Sequence, residues 1–167
     1  MKYIKNTAFT HDQGDKLGVL ITNLGTPEAP TKQALKPYLK QFLSDPRVVE
    51  VPKLIWWCVL NLIILNVRPQ KSAEAYATVW TEDGSPLLTH TKQQAAALQA
   101  KFDADRPGEV LVDFAMRYGQ PSVSNAVDRL LKRVARKVFV LPLYPKYCAS
   151  TTGSTFDALA EDFTRRR

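Results

Sequence analysis

Residues 141–154, LPLYPKYCASTTGS, place the tightest constraint on the fold, because they read as a strand running out through a loop into a helix. Val138, Phe139, Val140, Leu141 and Leu143 form a near-continuous apolar run of β-formers, the pattern of a strand covered on both faces. Pro142 and Pro145 end the ladder, since neither has an N–H to donate and each biases its predecessor toward extended geometry. The loop beyond carries Tyr144, Lys146, Tyr147, Cys148, Ser150, Thr151, Thr152 and Ser154, a run of hydroxyls with one ammonium and one thiol. In an open α/β sheet the carboxyl ends of the strands are where ligands bind. A plainer reading stands beside this one. Ser154 followed by Asp157 fits a capping box, which would make TTGS the start of a helix and nothing more.

Two other stretches repeat the pattern. Residues 17–22, LGVLIT, form an apolar run that leads into Asn23, Leu24, Gly25, Thr26 and Pro27, and residues 110–116 lead into Arg117, Tyr118, Gly119, Gln120, Pro121 and Ser122. Helical patterns fall between and after them. Thr31 can cap a helix through Leu35, Tyr38, Leu39, Phe42 and Leu43, with Pro37 either kinking it or moving its start to Lys36. Further helices are predicted over residues 72–80, from Ser85-Pro86 to Phe102, over 123–134 and over 156–163. Strands alternating with helices imply right-handed crossovers and a parallel sheet, which brings the three exits to one edge. That edge is polar and not acidic: it holds Arg117, Lys146 and tyrosines, with no carboxylate, histidine or activated nucleophile. It suits holding a ligand better than performing acid–base chemistry alone.

Composition excludes several classes. With 167 residues, 45% of them hydrophobic, the chain is the size of one globular domain and needs no staple. Cys58 and Cys148 lack CxxC spacing, which argues against zinc and fits a reducing, cytoplasmic setting. The net charge of +7 favours anionic partners, yet the basic run at 132–137 lacks the interleaved aromatics of a nucleic-acid surface. There is no G-x-G-x-x-G and no Walker lysine, and His90 has no second ligand at i+4, so no metal site is expected. Residues 54–65, LIWWCVLNLIIL, are the most apolar stretch but fall short of the roughly 20 residues of a membrane span. They could form a core helix, a lip over a cleft, or a shallow membrane contact. Residues 1–16 have no h-region and read as a polar, mobile lead-in to a domain over 17–167.

The segments NLGTP, YLKQFLSDPRVV, GSPL, MRYGQPS and LPLYPKYCASTTGS, in this order and spacing, resemble the ferrochelatases of the bacterial type. The resemblance implies insertion of Fe2+ into protoporphyrin IX to form protohaem. It implies a Rossmann-like, chelatase-like parallel sheet flanked by helices, of which this chain is the first of two similar halves and inactive alone. It places Leu24 and Phe42 against the porphyrin and gives Arg68, Lys71 and Ser85 the propionates. An arginine fork and an ammonium do suit ionised carboxylates. It makes Arg117 and Tyr118 a pocket pair, puts Tyr144 beside the macrocycle, and makes residues 54–65 a lip that covers the porphyrin and touches the inner membrane peripherally. Partners are then porphyrin and ferrous iron, without nucleic acid. Ala149 stands where some relatives have a cluster cysteine, so no iron–sulfur cluster and no other cofactor is expected. The family's histidine and its partner glutamate belong to the second half, and neither His11 nor His90 has a route to the strand exits, so the catalytic groups are unassigned here. Two rivals are a non-catalytic porphyrin- or haem-binding α/β module and a phosphate-binding domain using the TTGS helix start.

Overall fold

The computed structural model describes Tyr3 and residues 15–166, so His11 and most of the lead-in lie outside the described residues. In chain order the elements are β1 (Lys16–Thr26), α1 (Lys32–Leu43), α2 (Lys53–Cys58), α3 (Leu65–Ala77), α4 (Pro86–Asp105), β2 (Val110–Gly119), α5 (Val123–Lys132), β3 (Ala135–Pro142) and α6 (Ser154–Thr164). The strands form one parallel sheet in the order β2-β1-β3. Alternate residues of β1 point to opposite faces, and each face has its own core. Leu20 packs with Leu111, Ala115, Val127, Leu130 and Leu159 beneath α5 and α6, whereas Val19 and Ile21 pack with Val112 and with Ala95 of α4. Each such burial contributes about 1.5–3 kcal/mol, which is why the apolar runs in these strands are continuous.

Three strand readings need correction. β1 and β2 extend past their expected ends, pairing Gly25 with Tyr118 and Thr26 with Gly119. Glycine makes this approach possible. Gly25 has φ +112° and a Cβ on it would lie 1.8 Å from the Tyr118 carbonyl oxygen. The third correction concerns β3, which is an edge strand and not covered on both faces. Val138 and Val140 meet the α5/α6 core, but Phe139 is 56% exposed and Leu141 is also open, because α4 packs on β1 and β2.

The helices also depart from the pattern in places. α1 starts at Lys32, not Lys36, with the Thr31 hydroxyl accepting from the Ala34 N–H, and Pro37 is carried inside it. α5 stops at Lys132, and Val134 beyond it has φ +69°. α3 begins at Leu65, not Ser72, and carries the buried Pro69. It follows α2 through a π-helical segment, Val59–Ile64. The apolar run at 54–65 is therefore helical but is not core: Leu60 and Leu65 are buried, while Leu54 is 78% exposed and Ile55, Trp57, Leu62 and Ile63 are also bare.

Candidate functional site

The strand exits close around a residue that the local pattern marks only as a helix stop. Asp45, just past the C-cap of α1, is buried, and its Oδ2 accepts from the Ser154 hydroxyl at 2.6 Å, from Nη2 of Arg117 at 2.7 Å and from the Tyr118 hydroxyl at 2.8 Å. Its Oδ1 accepts from the Arg47 N–H at 2.8 Å. Burial alone would raise this carboxyl, but the bonds from Ser154, Arg47 and Tyr118 and the charge of Arg117 outweigh it, so the group is held below the ordinary carboxylate range. The site thus contains a carboxylate, against the sequence reading. Ser154 does not cap α6, whose N-cap is Gly153. It is fully buried and accepts from Nε of Arg117 at 2.6 Å, while Asp157 pairs with Arg47 instead of closing a capping box.

Arg117 and Tyr118 are brought together as expected. The guanidinium lies 4.5 Å from the Tyr118 ring centroid, and its Nε and Nη2 are engaged by Ser154 and Asp45. Arg117 therefore has one Nη left for a ligand, which makes it chiefly a brace. Burial pushes the Tyr118 phenol up to about 12, so it stays protonated and donates to Asp45. Tyr144, on the third exit, has a buried hydroxyl with no hydrogen-bond partner among the described residues, and burial raises it against the opposing influence of Thr155 and Arg117.

From Tyr118 a chain of aromatic contacts runs outward along α1 and α3. Phe42 meets Tyr118 edge-on at 5.1 Å and stacks with Tyr38 at 6.4 Å; Tyr38 meets Tyr76 at 6.3 Å, and Tyr76 meets Trp80 at 6.4 Å. Leu24 packs against the same cluster from β1. The sequence reading places Tyr38 on a helix face and assigns neither it nor Tyr76 or Trp80 to the site, although the ladder joins the strand exits to α3. Arg68 and Lys71 stand on α3 one turn apart, both exposed, and among the described residues neither has an ion-pair partner. Ser85 is buried at the N-cap of α4 without a side-chain capping bond. No described contact joins Arg68, Lys71 or Ser85 to Arg117; α3, which carries the two exposed cations, reaches the polar cluster through the Tyr76, Tyr38, Phe42 and Tyr118 contacts. His90 is exposed on α4, its Nδ1 3.3 Å from Gln93 Oε1. Lys146 and Cys148 are likewise exposed.

Fold and cluster together define an α/β domain with a polar cluster at the carboxyl edge of a parallel sheet, the edge at which open α/β sheets bind ligands. The chain belongs to the ferrochelatase family, which it matches over residues 16–167. All 167 residues align at 63% identity with 46% of a ferrochelatase of Idiomarina loihiensis, and at 59% identity with 46% of one from Pseudoalteromonas atlantica. A ferrochelatase of Teredinibacter turnerae is also 59% identical over the whole chain and 45% of its own length. The chain spans about half the length of the curated relatives it matches.

Proposed function

We propose that the chain supplies the porphyrin-binding half of a ferrochelatase, which inserts ferrous iron into protoporphyrin IX to form protohaem. The observation that carries this reading is the half-buried rim of Leu24, Phe42, Tyr76 and Trp80, backed by the buried Tyr38 and Tyr118, together with two exposed cations on α3 that have no ion-pair partner among the described residues. A flat apolar macrocycle bearing two carboxylates needs both: ring edges and faces to lie against, and charge for the propionates. In this proposal Leu24 and Phe42 border the macrocycle, Arg68, Lys71 and Ser85 take the propionates, and Tyr144 lies beside the ring. Arg117 and Tyr118 hold the wall in place through Asp45. Iron and porphyrin are substrates, and the reading assigns no resident cofactor.

The reading also gives the bare side of β3 a purpose. Phe139 and Leu141 would be covered by polypeptide corresponding to the remainder of the relatives, which the reading assigns the proton acceptor for the two pyrrole protons. The exposed apolar face of α2 and the π-helical segment is a peripheral membrane contact in this account; among the described residues no helix is long and apolar enough to cross a membrane. The test is a metal-insertion assay on the purified chain, with and without the remaining part of the Idiomarina loihiensis relative expressed separately. Turnover is expected only in the mixture. Turnover by the chain alone would place the acceptor within these residues and overturn the division of roles.

A further inference from the structure

Beside the exposed apolar face lies a cavity of about 310 Å³ between the end of α1 and the start of α2, bordered by Lys40, Lys53, Trp56, Trp57, Leu60 and Asn61. Its two cations come from different elements. Lys40 lies in the last turn of α1, where a helix dipole favours a cation, and by itself would need no further explanation. Lys53 is the first residue of α2, the end at which the dipole opposes a cation. Neither lysine has an ion-pair partner among the described residues, and both are exposed. The floor is set by Trp56, whose indole N–H donates to the Leu43 carbonyl at 2.6 Å and so fixes the ring across the gap between the two helices. Trp57 borders the cavity and is itself 60% exposed, so the cavity opens onto the bare surface formed by Leu54, Ile55, Leu62 and Ile63.

We propose that this cavity is a seat for the headgroup of an anionic phospholipid, whose acyl chains lie against the bare apolar face of α2 and the π-helical segment. Charge and polarity select this occupant. Two exposed ammonium groups without an ion-pair partner among the described residues ask for a phosphate, and apolar side chains at the rim ask for hydrocarbon beside it. Indoles at that boundary match the level at which headgroups meet acyl chains. The inference rests on the peripheral membrane contact proposed above and adds to it a specific headgroup, held by Lys40 and Lys53.

The test measures partition of the purified chain onto vesicles of phosphatidylcholine alone and of phosphatidylcholine with phosphatidylglycerol, by cosedimentation and tryptophan emission. Three proteins are compared: the unaltered chain, Lys40→Gln with Lys53→Gln, and Lys132→Gln with Lys137→Gln, which removes the same charge at exposed positions near the opposite, amino end of the sheet. The expected result is preferential binding to phosphatidylglycerol vesicles with a blue shift, weakened roughly tenfold or more in the Lys40/Lys53 variant and much less in the control pair. Equal loss in both variants would reduce the effect to net charge and overturn the seat while leaving membrane contact standing. Binding to neither vesicle would overturn the membrane contact itself. Displacement by millimolar inorganic phosphate, or by protoporphyrin, would assign the cavity to a soluble anion and likewise overturn the proposal.

Discussion

Asp45 accepts a 2.6 Å hydrogen bond from Ser154 across 109 positions of sequence, joining the end of α1 to the first residue of α6, and on the same oxygen it takes Arg117 from β2. Removing the carboxylate would leave Arg117, whose side chain is only 16% exposed, without its counter-charge. Breaking a buried pair from one side costs about 3–5 kcal/mol. Asp45→Ala is therefore expected to lose stability on that scale in urea unfolding, and Ser154→Ala about 1–3 kcal/mol for the lost hydroxyl. A loss under 1 kcal/mol in Asp45→Ala would remove the cluster as the brace of the site.

The same cluster sets an acid limit. The folded Asp45 carboxyl lies below its ordinary value, so the unfolded chain binds the proton more readily as pH falls. Its contribution is complete above the unfolded carboxylate value near 4 and is lost as pH drops through the lower folded value. Melting curves between pH 7 and pH 3 are expected to show a steeper acid loss in the unaltered chain than in Asp45→Asn. Parallel curves would mean that other carboxylates govern the acid limb.

Gly25 and Gly84 both hold positive φ, at +112° and +98°, but differ in what surrounds them. A methyl at Gly25 would strike the Tyr118 carbonyl, whereas nothing lies within 4 Å of one at Gly84. Gly84→Ala is expected to show backbone strain alone, about 1–3 kcal/mol, and Gly25→Ala distinctly more, by separating β1 from β2 at the strand exits. Thermal denaturation of the two variants checks this, and equal losses would contradict the close approach.

Arg68→Glu with Lys71→Glu is expected to weaken porphyrin binding by about 1–3 kcal/mol, from lost charge-assisted bonds and added repulsion. Both residues are exposed, so folding should be unaffected, which circular dichroism verifies. Unchanged affinity in the folded double variant would take these residues out of the site.

The layout of strands and helices is readable in the sequence because it rests on local periodicity: LGVLIT and the run at 110–116 announce buried strands, and Thr31 and Ser85-Pro86 announce helix starts that the structure keeps. What escapes local reading depends on distance. Asp45 looks like the end of a helix before a proline, and its partners Arg117 and Ser154 lie 72 and 109 positions away. Ser154 matches a capping pattern and is diverted to Asp45. The runs at 54–65 and 138–141 are equally apolar whether buried or bare, since composition records what a surface is made of and not whether anything covers it. β3 reads as covered for that reason, although it is an edge. Tyr38 and Tyr76 sit on two helices as ordinary amphipathic residues and Trp80 lies just beyond α3, and only the packing of α1 on α3 makes them a ladder.

The measurement closest to the central claim is an absorbance titration of the purified chain with protoporphyrin IX in one series and with ATP in the other. A macrocycle lying along the half-buried Leu24, Phe42 and Tyr76 should show a saturable change in its Soret band, reduced in the Arg68/Lys71 variant, while ATP produces no saturable response. Saturation by ATP without a porphyrin response would instead assign the strand exits and the TTGS segment to phosphate binding, and would contradict the porphyrin site.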